Sequence, residues 1–506
     1  MTRAAHQEPN VLRLKHLGID TYRELVVFMA HDSPICRSEG WGAQSRVQVS
    51  CNGRSIIATL NVTTGSLLAA DEVSLSEAAW QLLGAAAGEL VRLSHSPPVD
   101  SLSQLRAKVY GERLPADAIA SIVTDIVAGR YSDIDLAAFV TAFAGAKIDT
   151  DETIALTRAM IDTGDRLYWG HSPIVDKHCV GGLPGNRTSM IVVPIVAACG
   201  LTMPKTSSRA ITSPAGTADA METVAPVDLV IERMRDVVER EGACIVWGGR
   251  VRLAPADDVI ISVERPLDFD SGTQLVASVL SKKAAAGATR AVIDIPIGPT
   301  AKVRSIAAAE VLESTLHVVG DAIGLSIRAI RTDGTQPVGR GIGPALEARD
   351  VLAVLRRSPD APTDLRERSL VLAGAVLEMG GVVAAGGGEV RARETLENGS
   401  ALRKFEAICA AQGGMREPAM APLTHVVRTT GRGRVCGIDN RRLARLAKLA
   451  GAPRAPSAGV ELHARLDSRL ERDEPLLTIH AESPGELDYA RAYLAANPQV
   501  IDLEES

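Results

Sequence analysis

A glycine-rich segment in the first half of the chain combines residue types that bind anions. Residues 176–189 read Asp-Lys-His-Cys-Val-Gly-Gly-Leu-Pro-Gly-Asn-Arg-Thr-Ser and lead into an apolar stretch. Three glycines let backbone N–H groups converge on an anion, a following helix N-terminus adds partial positive charge, and Lys177 and Ser189 add donors. The segment predicts a phosphate-binding loop, and an ordinary glycine-rich connection is the alternative interpretation. Pro194 should kink the helix that follows.

Hydroxyl groups are concentrated in a second segment, from Ser207 to Thr217. Five Ser or Thr residues and Arg209 occur within these eleven residues, and Gly216-Thr217 precede a predicted helix. Such a segment can bind phosphate oxygens and ribose hydroxyls at the same time. A Ser/Thr-rich turn with helix caps is the alternative interpretation.

A third segment places an acid before a predicted helix. Asp270 precedes the apolar pattern of residues 275–286, in which Ser278 and Lys282 are four residues apart and therefore share a helix face. An acid, a hydroxyl and an amine so arranged can hold a polar ligand. Alternatively, Asp270 is an N-cap and Lys282 a solvated lysine.

The elements around these segments predict a multidomain α/β protein. Short apolar runs separated by turn residues predict strands near the N-terminus, and Ser74 with Glu77 forms a capping-box pattern that begins a helical region. Beyond His171, glycine-rich turns alternate with strands and helices, as in α/β layers. The predicted domains are a small β-rich N-terminal domain (1–73), a helical domain (74–170, joined by a helical segment at 255–286), an α/β phosphate-binding domain (171–414) and an α+β C-terminal domain (415–506).

Composition and charge narrow the function classes. The chain has 506 residues, with 55 Lys and Arg against 61 Asp and Glu, so its net charge is -6 and nucleic acid is not an expected partner. The N-terminus lacks a signal-peptide pattern, and the apolar stretch from Met190 to Ala198 is too short to span a bilayer. We therefore expect a cytoplasmic protein with no membrane partner. Seven cysteines without a CxxC pair indicate neither disulfides nor a zinc site.

Four sequence blocks together resemble the thymidine and pyrimidine-nucleoside phosphorylase family. The resemblance covers nearly the whole chain and is closest to the type 2 thymidine phosphorylase branch, near the archaeal AMP phosphorylases. The blocks are the Lys-His-x-x-Gly-Gly loop, Ser-Ser-Arg through Gly-Thr-x-Asp-x-x-Glu, Ser278 to Lys283, and Thr332 to Pro337. The resemblance implies a helical and an α/β domain facing each other across a cleft, and a homodimer or higher homo-oligomer.

The resemblance also assigns expected roles to single residues. Phosphate-binding positions are Lys177, Gly182, Ser189, Ser207 and Thr217, and base-side positions are His178, Ser278 and Lys282. In the AMP phosphorylase branch, the nucleotide-contacting positions are Gly182, Ser208, Arg209, Ala210, Ile211, Thr212, Ser213, Thr217, Ser278 and Lys302. Asp270 matches the proton donor of that branch. For a pyrimidine, His178 is the expected donor to the base carbonyl.

Three positions depart from the family pattern. Cys179 stands where the thymidine enzymes usually have a phosphate-binding Ser, which replaces a strong donor with a weak one. Pro214 replaces a small Ala or Thr. Val263 stands where the pyrimidine enzymes have an Arg that clamps the base carbonyl, so the identity of the base stays open.

The expected reaction is phosphorolysis of thymidine to thymine and 2-deoxyribose 1-phosphate. Inorganic phosphate is a co-substrate in this prediction, and no cofactor or metal is expected. AMP phosphorolysis to ribose 1,5-bisphosphate is the main alternative. An anthranilate phosphoribosyltransferase-like enzyme, which would depend on magnesium, and a non-catalytic nucleotide-binding protein are two further alternatives.

Overall fold

The computed structural model describes residues 10–145, 149–210, 213–267 and 272–505. The chain divides into two compact units. The first unit comprises Met1–Glu112 and Thr124–Phe139, and the second comprises Arg113–Val123 and Val140–Ser506.

The first unit contains a closed β-barrel. Its elements are β1 (Val11–Leu14), β2 (Val26–Ala30), α1 (Pro34–Ser38), β3 (Arg46–Cys51), β4 (Arg54–Thr63), β5 (Glu72–Leu75), α2 (Glu77–Leu83), β6 (Leu90–His95) and α3 (Ser101–Val109). The strands follow one another around the barrel in the order β1-β5-β2-β4-β3-β6. Alternate residues of β3, such as Val47 and Val49, are buried in the barrel core, which gives the strand its period of two.

The barrel changes one predicted boundary. Residue 73 lies inside β5, and β6 pairs with β1 and β3, so the barrel ends at His95 rather than at residue 73. Ser74 belongs to β5, and the N-cap of α2 is Ser76, whose Oγ accepts a hydrogen bond from the Ala79 N–H at 3.4 Å. The predicted helix start is therefore shifted by two residues along the chain.

The second unit begins with helical and α/β elements. Helices α4 (Ala116–Val127) and α5 (Asp133–Ala144) are each divided between the two units. They are followed by α6 (Thr150–Asp162), β7 (Val175–Cys179), a 3₁₀ turn (Asn186–Thr188), α7 (Ser189–Ala198), β8 (Met203–Ser207), α8 (Thr217–Glu222), α9 (Ile231–Glu241), β9 (Ala243–Trp247), α10 (Pro255–Leu267), α11 (Gly272–Ala285), β10 (Arg290–Ile297), α12 (Ile306–Ala322), β11 (Ser326–Asp333), β12 (Gly341–Ile342), α13 (Pro344–Arg356), α14 (Thr363–Gly380), α15 (Gly388–Glu397) and α16 (Ser400–Gln412).

Parallel strands form the centre of this unit. Strands β7, β10 and β11 pair in parallel in the order β11-β10-β7, and β8 pairs in parallel with β9. A parallel bridge between Ile174 and Thr202 connects the two sheets. Strand β10 is buried along nearly its whole length, as expected of a parallel strand covered on both faces. Helix α7 is apolar and buried, and it continues through Pro194.

The carboxyl ends of β7, β8 and β10 lie on the same side of these sheets because the strands are parallel. Ligands of open α/β sheets bind outside such strand ends. The described loop residues that follow these strands are 180–185, 208–210 with 213–216, and 298–305. Two of these loops contain the glycine-rich and hydroxyl-rich segments that the sequence singled out.

The C-terminal part combines two sheets with two helices. Its elements are β13 (Leu423–Arg428), β14 (Gly433–Ile438), α17 (Asn440–Leu449), β15 (Gly459–Leu462), β16 (Arg469–Leu470), β17 (Pro475–Ala481), α18 (Pro484–Ala496), a 3₁₀ turn (Pro498–Val500) and β18 (Ile501–Glu505). The sheet orders are β12-β15-β17-β13 and β16-β14-β18. Asn440 donates to the Gly334 carbonyl at 2.9 Å and so joins α17 to the loop after β11. Within the described ranges, no helix is both long and apolar enough to cross a bilayer.

Candidate active site

A cavity of about 200 Å³ lies at the carboxyl ends of β7, β8 and β10 and brings most of the predicted site residues together. The predicted residues that line it are Lys177, His178, Gly182, Ser189, Ser207, Ser208, Arg209, Ala210, Ser213, Thr217, Ser278, Lys282 and Lys302. Asp270, Ile211 and Thr212 lie outside the described residues. The roles assigned to all these residues stay predictions, but three distant segments share one cavity.

The loop after β7 has a backbone conformation that favours glycine. The φ angle is +81° at both Gly181 and Gly182, in the left-handed region. A Cβ added to Gly182 would lie 2.9 Å from the backbone nitrogen of Lys302, which is too close for any real side chain. Glycine at position 182 therefore allows the loop after β10, with Lys302, to approach the glycine-rich loop.

Lys177 is buried beneath this loop. Its Nζ donates to Thr188 Oγ1 at 2.5 Å and to Ser189 Oγ at 3.4 Å. Because the ammonium group is removed from water, burial lowers the pKa of Lys177. The ammonium and the Ser189 hydroxyl are donors expected of an anion site, whereas the Thr188 hydroxyl donates to the Gly185 carbonyl at 2.6 Å.

Cys179 at the end of β7 is a neutral thiol. Burial, together with the negative charge of Asp294, raises the pKa of Cys179 to about 12. Asp294 is fully buried on β10, where it is the partner of Cys179 in the strand pairing and accepts a hydrogen bond from Thr332 Oγ1 at 2.5 Å. The substitution of Ser by Cys noted in the sequence therefore leaves a weak donor at this position.

The loop after β8 is held in shape by Asp219 of α8. One oxygen of its carboxylate accepts hydrogen bonds from the Ala210 N–H at 2.6 Å and the Gly216 N–H at 2.8 Å. A Cβ on Gly216 would lie 2.5 Å from the Ser208 carbonyl oxygen, so this loop also requires glycine for its close turn. Although burial raises the pKa of Asp219, these hydrogen bonds act in the opposite direction. Asp219 is thus a structural clamp of the second loop.

Arg209 is paired with acids within the same loop. Its guanidinium forms a bidentate pair with Glu222, in which Nη2 lies 2.9 Å from Oε1, and Nη1 lies 3.4 Å from Asp219. It also lies over the Trp247 ring at 5.0 Å from the centroid. The hydrogen bond to Glu222 raises the pKa of Arg209. Arg209 lines the cavity, but its charge is already balanced by carboxylates.

Helix α11 contributes the residues of the opposite wall. Lys282 Nζ donates to Ser208 Oγ at 3.1 Å and forms an ion pair with the buried carboxylate of Asp257 on α10. Its side chain is 22% exposed, so it is not the solvated lysine of the alternative interpretation. Ser278 lies one turn earlier and lines the same cavity. The predicted shared face of α11 is therefore directed toward the second loop.

The environment of His178 makes its imidazole neutral. Burial lowers the pKa of His178 well below its usual value, and the positive charges of Lys283 and Lys205 lower it further. A neutral imidazole can donate one hydrogen bond to a base carbonyl, but it has no extra proton to release. The predicted role of His178 is accordingly limited to hydrogen bonding.

Sequence analysis missed a buried charge cluster beside the predicted residues. Asp176 is shared by two lysines: Lys283 Nζ lies 2.7 Å from Oδ2, and Lys205 Nζ lies 3.5 Å from Oδ1. All three side chains are almost fully buried. The available signal was a charged residue inside an apolar strand pattern, as in Thr202-Met-Pro-Lys-Thr206. Such charges are buried only when paired or functional.

Helix α10 presents acidic side chains where pyrimidine phosphorylases clamp the base. Val263, which aligns with the clamping Arg, is buried, while Asp258 and Glu264 line the cavity. Carboxylates accept hydrogen bonds and repel a base oxygen, whereas a guanidinium donates to it. The base-side wall is therefore more acidic in its described part than the resemblance implied.

Arg187 anchors the turn between the glycine-rich loop and α7. The guanidinium is fully buried, lies 2.9 Å from Asp350 and 3.4 Å from Glu347, and donates to the Gly341 carbonyl. Burial raises the pKa of Glu347 to about 7. Since Arg187 directly precedes Thr188 and Ser189, this network fixes the turn that carries the partners of Lys177.

In the part of the chain that the structure describes, no group of three or more His, Cys, Asp or Glu side chains is placed to hold a metal ion. Whether the reaction needs a metal is a separate question, and the expectation of none stays a prediction.

Three family models match successive parts of the chain. The helical bundle domain of a glycosyl transferase family matches residues 103–164, and the a/b domain of that family matches residues 171–402. The pyrimidine nucleoside phosphorylase C-terminal domain matches residues 435–500. The matches follow the order of the helical, α/β and C-terminal parts.

Relatives of similar length match nearly the whole chain. A protein of Polaromonas sp. (strain JS666) named "Putative thymidine phosphorylase" is 60% identical over 497 residues, covering 98% of this chain and 97% of its own length. A protein of the same name from Hahella chejuensis is 58% identical over 499 residues, covering 99% of each. The fold also resembles anthranilate phosphoribosyltransferase from Thermus thermophilus, with a TM-score of 0.52, 20% identity, and coverage of 61% of this chain and 98% of that one.

The likeness to the anthranilate enzyme concerns the fold alone, because so low an identity says nothing about a shared reaction. The relatives that are 58–60% identical over nearly the whole chain do establish a family, because the aligned residues include every element around the cavity. The chain belongs to the thymidine and pyrimidine-nucleoside phosphorylase family.

Proposed function

We propose that the protein catalyses thymidine phosphorylase-type phosphorolysis, in which thymidine and phosphate give thymine and 2-deoxyribose 1-phosphate. The observation that carries the proposal is the cavity that Lys177 and Ser189 line together with Ser278 and Lys282 of α11. Residues that the resemblance assigns to phosphate and residues that it assigns to the base thus line one cavity. The names of relatives up to 60% identical support the same reaction.

The expected chemistry is displacement at C1′ of the sugar. A phosphate oxygen forms a bond to C1′, the bond from C1′ to the base nitrogen breaks, and the bonding electron pair leaves with the base. Lys177 and the loop amides hold the phosphate in line, a form of catalysis by preorganised charge. The neutral His178 donates a hydrogen bond to the base carbonyl, while the Lys282 ammonium stabilises the charge that develops on the base.

A nucleoside 5′-monophosphate is the second candidate substrate. Two observations favour it: Lys302 lies against Gly182 and adds another cation to the cavity, and Asp258 and Glu264 line the wall where a clamping Arg is expected. A second cation suits a second phosphate group, and carboxylates suit the amino group of adenine or cytosine. Asp270 would then be the proton donor, as the resemblance implies.

We further propose that the protein acts in the cytoplasm as a homodimer. Family resemblance supports the dimer. Light scattering during size-exclusion chromatography should give twice the chain mass. A monomer at micromolar concentration would contradict this proposal.

The test is release of free base from thymidine, uridine, AMP and CMP, each with and without inorganic phosphate. We expect phosphate-dependent thymine release that falls about 10²–10³-fold in Lys177→Ala, the usual loss when one preorganised charge is removed. Lys15→Ala, which removes a half-exposed lysine of the barrel, is the control and should keep full activity.

Asp270→Asn separates the two candidate substrates. Thymine release that survives this substitution supports the thymidine reaction. Adenine release from AMP that is lost in Asp270→Asn supports the nucleotide reaction instead. If no substrate releases base in a phosphate-dependent manner, the phosphorylase proposal is wrong. Base formation that requires pyrophosphate chemistry and magnesium would indicate the anthranilate phosphoribosyltransferase-like alternative.

A further inference from the structure

Lys205 is a buried lysine to which the proposed reaction assigns no role. It lies on β8, is 3% exposed, and lines the cavity that contains the proposed phosphate site. Its Nζ donates to the Thr206 carbonyl at 2.7 Å and lies 3.5 Å from Asp176 Oδ1. A lysine so placed needs a functional or electrostatic reason, because burial of an ammonium group is costly.

The carboxylate beside Lys205 is already engaged. Asp176 Oδ2 lies 2.7 Å from Lys283 Nζ, which is the shorter of its two ammonium contacts. On the same strand as Asp176, the Lys177 ammonium adds a further positive charge. Two buried lysines thus share one carboxylate, and a third lysine lies nearby.

The other groups around this cluster do not fully offset its positive charge: Asp294 on β10 stabilises the Lys177 ammonium, which leaves two carboxylates, Asp176 and Asp294, for three ammonium groups. On β7, His178 is neutral for the reasons given above. On β9, burial raises the pKa of the Cys244 thiol, which keeps it neutral. On α11, Lys282 is paired with Asp257 of α10. The cavity without an anion therefore favours loss of a proton from one of the clustered ammonium groups.

Among the clustered lysines, Lys205 is the group that we expect to lose its proton. Burial lowers its pKa well below the usual value, and Lys283 and Lys177 lower it further, while Asp176 opposes the change. A phosphate dianion in the same cavity would reverse the effect, since two negative charges stabilise a nearby ammonium. Anion binding and protonation are then linked, and each must favour the other.

We propose that Lys205 is a positioning residue that takes up a proton from solvent when the phosphate dianion binds. The inference rests on the proposed function, in which phosphate is the co-substrate. The new bond is the third N–H bond of the Lys205 ammonium group, and no bond of the phosphate changes. Phosphate then faces two ammonium groups, Lys177 and Lys205, that the cavity without an anion does not keep fully charged together.

The sign of the pH dependence follows from this linkage. Between the pKa of Lys205 in the free enzyme and its higher pKa in the anion complex, binding takes up a proton, so anion affinity falls as pH rises. The logarithm of the association constant should decrease by up to about one per pH unit, the limit for a single linked proton. Below both pKa values Lys205 is charged in either state, and the dependence disappears.

Sulfate is the probe because it does not itself change protonation state, so any proton taken up on binding goes to the protein. Phosphate itself releases a proton near neutral pH, whereas sulfate is a dianion from pH 6 to pH 10. Calorimetric titration of the full-length protein with sulfate, in buffers of different ionisation enthalpy, gives the number of protons bound per anion. We expect uptake approaching one proton within this pH range. Zero uptake at every pH in the wild-type protein overturns the proposal.

Variants assign the proton to one residue. Lys205→Met should bind sulfate more weakly and without proton uptake, and Lys205→Arg should bind it without uptake because Arg is always charged. His178→Gln removes a second titratable group of the cavity and should keep the uptake. Uptake that persists in Lys205→Met, or that disappears in His178→Gln alone, overturns the proposal.

The experiment remains decisive if one variant does not fold, and it separates failure of this inference from failure of the proposed function. If Lys205→Met does not fold, as judged by circular dichroism, the wild-type titration and Lys205→Arg still decide the question. If sulfate binding takes up a proton but no substrate releases base, the proposed function fails while this inference stands. If base is released but no proton is taken up, the proposed function stands and this inference fails.

Discussion

Two adjacent glycines in the loop after β7 share one backbone conformation but differ in their surroundings. Gly181 and Gly182 both have φ of +81°, yet a Cβ would meet nothing within 4 Å at Gly181 and the Lys302 backbone nitrogen at 2.9 Å at Gly182. Gly182→Ala should therefore displace the Lys302 loop from the cavity. We expect kcat/KM for phosphate to fall about 10–100-fold, or about 1.4–2.8 kcal/mol at tenfold per 1.4 kcal/mol, measured by steady-state kinetics.

Gly181→Ala is the matched control for this prediction. It carries the same cost of a left-handed alanine, about 1–2 kcal/mol, but no contact with Lys302. Its effect should appear mainly as a lower melting temperature. Equal losses of kcat/KM in the two variants would show that backbone strain, rather than the approach of Lys302, explains the glycine.

At the scale of single residues, the sequence predicted the side chains that occur in recognisable local patterns. Lys177 and Ser189 frame a glycine-rich loop, and Ser278 and Lys282 share a helix face, so each pair can be found from spacing alone. Asp176 and Lys205 were missed because they are far apart in the sequence and meet only through strand and helix packing. The acidic side chains of α10, Asp258 and Glu264, were also not predicted to line the cavity.

At the scale of elements, the predicted capping residue of α2 shows where local patterns become ambiguous. Ser74 and Ser76 both precede the helix, and both side chains are fully buried. Ser76 Oγ accepts hydrogen bonds from the Val26 and Ala79 amides and donates to the Glu24 carbonyl at 2.9 Å. Among the described residues, Ser74 Oγ has no hydrogen-bond partner. Pairing of β5 within the barrel, which is a long-range event, decides between the two serines.

These two serines give a matched pair of substitutions. Ser76→Ala should destabilise the protein by about 1–3 kcal/mol, because buried backbone groups lose their partner and the helix loses its cap. Ser74→Ala should be neutral or stabilising, since it removes a buried hydroxyl without a partner. Urea unfolding followed by far-ultraviolet circular dichroism measures both. A larger loss in Ser74→Ala than in Ser76→Ala would contradict the assignment of the cap.

Strand prediction succeeded where apolar runs are bounded by turns and failed where closure depends on distant pairing. Strands β9 and β10 lie in the region beyond His171 where strands are predicted, and both are nearly continuous apolar segments, as buried parallel strands are. Strand β6 lies between two helices, and its place in the barrel depends on its pairing with β1 and β3. That pairing moves the end of the barrel beyond the predicted boundary.

At the scale of the whole molecule, the order of the domains could be predicted from the sequence, but the division of the chain into two compact units could not. The sequence predicted a β-rich, a helical, an α/β and an α+β part in that order, which the elements follow. The compact units instead divide α4 and α5 between them. Periodicity identifies a helix along its whole length, so it cannot reveal a division at one position within that helix.

This division predicts where phosphate binding should stabilise the chain. Every residue that lines the cavity belongs to the second unit. Phosphate at about 100 times its dissociation constant adds about 2.7 kcal/mol of stability to the folded site. Hydrogen–deuterium exchange followed by mass spectrometry should therefore slow in residues 177–189 and 205–210, while peptides from β1 to β6 keep their rates. Lys177→Met at the same phosphate concentration is the control and should show no slowing. If the barrel peptides slow as much as the loops, phosphate binding also stabilises the first unit, and the site is not confined to the second.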